Sequence, residues 1–147
     1  MNDPAQPFSL APGEGTVFPT PAGGQVTFKV RGEESSGMVS VAEFEVPAGA
    51  GPRLHVHEEA EECIYVLHGQ LRVQLGDEAH DATAGSCVFI PRGLPHCFRN
   101  VGEQSASLLA VYTPAGLEAF FENFAAGDAE GRGEAAADSD ALPRLPG

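Results

Sequence analysis

The chain has 147 residues, 42% of them hydrophobic, with 18 glycines and 12 prolines, a length that fits one domain with its own core. Eight Lys and Arg against 21 Asp and Glu give a formal charge of -13, which argues against nucleic acid and anionic membrane surfaces as partners. The N-terminus carries no basic and apolar leader, the apolar runs are too short for a bilayer, and the three cysteines lack CxxC spacing. Those features predict a cytoplasmic protein in which Cys63, Cys87 and Cys97 are reduced, buried packing thiols.

Residues 1–24 are rich in Pro, Gly and small side chains and read as an arm, with a short strand near Thr16 to Phe18. From Gln25 the pattern alternates, Val26, Phe28 and Val30 against Thr27, Lys29 and Arg31, which predicts a strand. Gly32 to Gly37 is a loop, and Met38 to Val46 the next strand, with Met38, Ala42, Phe44 and Val46 on its apolar side. The run Pro47 to Pro52 breaks it. Arg53 to His57 is predicted as a short strand, and Glu58 to Glu61 as an acidic connection. Glu62 to Leu67 and Gln70 to Leu75, joined at His68-Gly69, read as a hairpin.

Ala79 to Ala82, Ser86 to Ile90, His96 to Asn100 and Ser105 to Tyr112 complete about nine short strands, which suits a sandwich or barrel. The period then changes. Leu117, Phe120, Phe121 and Phe124 form one stripe of an amphipathic helix over 114–126, with Thr113 as N-cap and Pro114 as first helical residue. Residues 127–147 hold few large apolar side chains and read as a flexible tail.

The chemistry concentrates between residues 49 and 100. His55 and His57 are two apart, so on a strand both imidazoles face one side. Setting Glu62 inward sends Ile64 and Val66 the same way, and setting His96 inward brings Phe98 and Asn100 with it. Three imidazoles and a carboxylate among apolar neighbours suit a divalent first-row transition metal. Glu58, Glu59 and Glu61 read as an exposed rim, with Glu61 the alternative ligand if the turn is one residue shorter; His68 and His80 read as turn histidines.

Gly49, His55, His57, Glu62 and Gly69 match the first cupin signature, G-x5-H-x-H-x4-E-x6-G, and Gly85, Pro91, Gly93, His96 and Asn100 match the second, G-x5-P-x-G-x2-H-x3-N. The segment resembles a single-domain cupin of the quercetin dioxygenase-like kind, with a short spacer of fifteen residues between the motifs. The resemblance implies an all-β fold, a double-stranded β-helix or jelly-roll barrel over 25–113. It also implies His55, His57, Glu62 and His96 as ligands of one metal (Fe, Mn, Ni, Co, Cu or Zn), and a homodimer. The signature glycines are then turn positions with unusual backbone angles, and Asn100 a residue that bonds local backbone.

Four protein ligands on an octahedral ion leave two positions for substrate, water or O2, which leans towards catalysis. Glu62 is the candidate general base, and Phe28, Phe44, Val73, Phe98 and Tyr112 are candidate pocket residues. The Phe120, Phe121 and Phe124 stripe is expected to pack on the strands, with a lid across the mouth as the lesser alternative. Three functions compete. The first is a dioxygenase acting on a small aromatic or enolisable substrate. The second is a non-oxidative isomerase, decarboxylase or cyclase, and the third a module that binds metal or ligand without turnover. Arg53, Arg92 and Arg99 are scattered, which counts against a phosphate-bearing substrate.

Overall fold

A computed structural model describes residues 4–127; of the tail expected over 127–147, all but Gly127 lies outside them. Among the described residues nine strands and one α-helix follow each other, with a short 3-10 turn over Gly32–Glu34: β1 (Thr16–Pro19), β2 (Gln25–Val30), β3 (Ser40–Val46), β4 (Glu61–His68), β5 (Gln70–Leu75), β6 (Glu78–Thr83), β7 (Cys87–Ile90), β8 (His96–Asn100), β9 (Ala106–Thr113) and α1 (Glu118–Ala125). They form a six-stranded sheet in the order β1-β2-β3-β9-β4-β7 and a three-stranded sheet in the order β6-β5-β8. All the strand pairings are antiparallel.

The closed jelly-roll barrel implied by the resemblance is not formed. Among the described residues no strand pairs into both sheets, and the sheets are neither closed on each other nor strongly curled. The physical reason lies in residues 47–57, which run beside the free edge of β8. That segment touches β8 through the backbone at two places, Gly49 and Ala50 with Asn100, and His55 with His96. Between them Pro52 lacks an N–H, so a continuous ladder cannot build. The predicted strand Arg53 to His57 is therefore reduced to one isolated bridge, His55 opposite His96. Gly51 crosses so close to β8 that a Cβ there would lie 1.9 Å from the carbonyl oxygen of Phe98.

Inward side chains of both sheets share one core, with Val26, Phe28, Ala42, Ile64, Val66 and Leu108 from the larger sheet meeting Leu71, Val73, Ala82 and Phe98 from the smaller. Strand β4 shows the alternation most clearly, with Glu62, Ile64 and Val66 buried and Tyr65 and Leu67 exposed. Two packing expectations change. Met38 lies before β3 and is 69% exposed instead of continuing its apolar side. Cys63 is half-buried and Cys87 exposed, because each alternates with inward neighbours on its strand; only Cys97 is buried.

The helix begins at Glu118, four residues after the predicted first position. Gly116 takes φ of 136°, far from helical values, so the turn after β9 uses up Pro114 to Gly116 before the helix can start. Glu118 then fastens α1 to the sheet. Its carboxylate accepts hydrogen bonds from Ser40 Oγ at 2.6 Å and from the backbone N–H groups of Gly32 at 2.5 Å and Gly116 at 3.1 Å. Phe121 points inward, its ring 5.9 Å from Phe28 and 5.6 Å from Phe44.

Candidate metal centre

His55, His57, Glu62 and His96 come together so that one donor atom from each lies within 4.8 Å of all the others. Regular structure delivers two of them. Glu62 is the second residue of β4, flanked in register by Ile90 of β7 and Tyr112 of β9, and His96 opens β8. The other two sit on the irregular segment, which borrows its order from backbone contacts. His55 exchanges both backbone hydrogen bonds with His96, at 3.0 and 2.9 Å, and the carbonyl of His57 accepts from Gly93 N at 2.8 Å. Gly93 makes that contact with φ of 82°, a conformation that favours glycine.

The tautomers follow from their partners. His55 Nδ1 lies 2.6 Å from the carbonyl oxygen of Arg53, and His96 Nδ1 lies 2.8 Å from that of Leu94. A carbonyl only accepts, so both Nδ1 atoms carry the proton and donate, leaving each Nε2 lone pair turned to the cluster. Glu62 Oε1 lies 3.2 Å from Nε2 of both His57 and His96. Yet Glu62 Oε1 and His96 Nε2 are buried without a hydrogen-bond partner among the described residues. Buried polar atoms are rarely left so, and a shared cation is what would satisfy both. The donor set and its orphaned atoms thus fit one divalent metal ion.

Electrostatics point the same way. Burial would raise the Glu62 carboxyl, but the adjacent His57 and His96 rings, when protonated, outweigh it and hold Glu62 well below the usual carboxylate range. His55 is pushed down to about 4, mainly by burial and then by the neighbouring His96 and His57. At neutral pH the site therefore offers an ionised carboxylate and, at His55, an unprotonated ring, the forms that bind metal.

Glu61, the alternative ligand, faces away. Its carboxylate pairs with the Arg92 guanidinium, through Nε and through Nη2 at 2.6 Å. Glu58, Glu59, His68 and His80 are exposed. Asn100 is buried and bonds backbone, its Nδ2 donating to the carbonyls of Val46 at 2.9 Å and Gln104 at 2.8 Å.

Above the quartet opens a pocket of about 440 Å³, with the four donors among its lining residues. Phe44, Phe98 and Tyr112 line it, whereas Phe28 and Val73 lie in the hydrophobic core. Leu117, Phe120, Phe121 and Phe124 of the helical stripe and Arg53 also line the pocket, beyond the residues expected from the sequence. The helical period was the available signal for the first group. Arg53 had one as well, since it stands two residues from His55 and beside the break at Pro52.

A two-sheet β domain in which three histidines and one carboxylate converge within a pocket defines a protein suited to binding a metal ion. Residues 42–112, just under half of the chain, match the family model described as "Cupin domain". It is 33% identical over 75 residues to an uncharacterised protein of Methanocaldococcus jannaschii, a match covering 51% of this chain and 60% of that one. It is 37% identical over 60 residues to polyketide synthase CurC of Streptomyces cyaneus, covering 41% of this chain and 39% of that one. The matches thus span less than two thirds of either curated relative. Among solved structures, oxalate oxidase in complex with the substrate analogue glycolate superimposes with a TM-score of 0.62 at 26% identity, covering 77% of this chain and 65% of that one. Among the described residues no helix is long and apolar enough to cross a membrane.

Proposed function

We propose that the chain is a metal-dependent enzyme acting on a small aromatic or enolisable substrate, first as a dioxygenase of the quercetin dioxygenase-like kind. The observation that carries this reading is the placement of four convergent donors in a pocket whose lining includes Phe44, Phe98, Tyr112, Phe120, Phe121 and Phe124. Its volume of about 440 Å³ falls within the roughly 300–1,000 Å³ typical of small-molecule sites. His55, His57, Glu62 and His96 would hold one ion of Fe, Mn, Ni, Co, Cu or Zn. A bound ion of that kind supplies Lewis acidity towards a hydroxyl or enolate oxygen and, if redox-active, electron exchange with O2.

The chain's own residues then have separate tasks. Phe44, Phe98 and Tyr112 sandwich a planar substrate, and the α1 phenylalanines keep water from it. Glu62, ionised and aimed at the same point, receives the substrate's hydroxyl proton once it loosens from the cluster. Arg53, the one cationic side chain among the described lining residues, favours a substrate with acidic oxygen at its outer end.

Oxygen uptake by metal-loaded protein offered flavonols and other enolisable phenols tests the reading; substrate-dependent consumption supports it. The similarity to a polyketide synthase favours a second reading, non-oxidative cyclisation or isomerisation of a polyketide-like substrate. Conversion without O2 consumption selects that second reading. Ligand-dependent thermal shifts without any conversion select a binding module instead.

A further inference from the structure

The outer face of β4 presents one of a pair of thiols, the other coming from β7, that the metal centre does not use. Cys63 on β4 and Cys87 on β7 place their sulfurs 3.4 Å apart. The register sets Cys63 opposite Phe89 and Tyr65 opposite Cys87, so the thiols are diagonal neighbours on one face of an antiparallel pair. Cys87 is exposed and Cys63 half-buried, while Cys97 is 3% exposed on the other sheet.

We propose that Cys63 and Cys87 form a redox site that closes reversibly to an intramolecular disulfide by exchange with a small disulfide such as oxidised glutathione. Exposure sets the order. The Cys87 thiolate attacks one sulfur of glutathione disulfide, and the first glutathione leaves as thiolate. Cys63 then gives up its proton and attacks the Cys87 sulfur of the mixed disulfide, displacing the second glutathione. In sum the protein dithiol is oxidised by two electrons, one glutathione disulfide is reduced to two glutathiones, and no other reactant is needed.

A disulfide requires the sulfurs to close from 3.4 Å to about 2.05 Å. Strand β7 permits that movement. It is four residues long and lies at the edge of the six-stranded sheet, paired only with β4. A diagonal, exposed bridge is the kind that is easily reduced again, so the site cycles instead of acting as a fixed staple. It also ties β7 to the strand that carries Glu62, one residue from the metal centre.

The test uses native protein, oxidised glutathione, intact-mass spectrometry and peptide mapping. The expected product has lost two hydrogens, carries no glutathione, joins Cys63 to Cys87, keeps Cys97 free, and reverts with dithiothreitol. In Cys63→Ser the second step is blocked, so Cys87 should retain one glutathione. A stable glutathione adduct on wild-type Cys87, three unmodified thiols, or a Cys87–Cys87 link between two chains would each overturn the proposal.

Discussion

The floor and the mouth of the pocket are built on different principles. At the floor, donors are fixed by backbone: a strand register for Glu62 and His96, and mutual hydrogen bonds for His55. Glu62 Oε1 and His96 Nε2 are buried there without a hydrogen-bond partner among the described residues, which suits a floor that binds a cation. At the mouth, aromatic side chains from α1 and the strands pack on one another, and one carboxylate, Glu118, holds the helix in place. The floor should therefore respond to metal, and the mouth to packing and pH.

The largest effect should come from the floor. Replacing outer-shell partners of a metal typically costs about 10- to 100-fold in affinity, so removing a ligand outright, as in His57→Ala, should cost more. Metal competition titrations check this, and wild-type affinity in that variant would dissolve the distinction drawn here. At the mouth, Phe121→Ala removes a buried ring that touches Phe28, Phe44 and Phe120. Denaturant unfolding should show a loss of about 3 kcal/mol, less if α1 simply undocks. Metal affinity should stay within a few-fold of wild type.

A smaller effect concerns acid. Burial would raise the Glu118 carboxyl, but hydrogen bonds from Ser40, Gly32 and Gly116 overcome it and hold it below its ordinary value. A depressed folded pKa adds stability that is present above the unfolded value, about 4.5, and is lost as pH falls through the folded one. Glu118→Gln should therefore be less stable than wild type at neutral pH, with the gap closing below about pH 4.5. A gap independent of pH would mean the carboxylate charge is irrelevant. Smallest of all, Phe124→Ala should weaken substrate binding a few-fold and leave metal loading unchanged, as steady-state kinetics and metal analysis would show.

Much of the floor was legible in the sequence, and the reason is periodicity. On β4 the alternation of Glu62, Ile64 and Val66 fixes one carboxylate inward and turns Glu61 out to Arg92. The same rule places His96, Phe98 and Asn100 on the buried side of β8. Closure of the sheets was not legible, because it depends on how far residues 47–57 pair with β8, and Pro52 and Gly51 interrupt that pairing without erasing the histidine spacing. The helix start was displaced because good capping chemistry at Thr113 and Pro114 competes with the turn that β9 needs at Gly116. Nor did composition place the cysteines: Cys63 and Cys87 look like packing residues until their strands put them outward and side by side.

His55, His57, Glu62 and His96 are proposed to hold one metal ion together. Elemental analysis of purified wild type and His96→Ala, with circular dichroism to show both folded, tests it most directly. Wild type should carry close to one transition-metal ion per chain, and the variant little. Equal metal in the two folded proteins would contradict it.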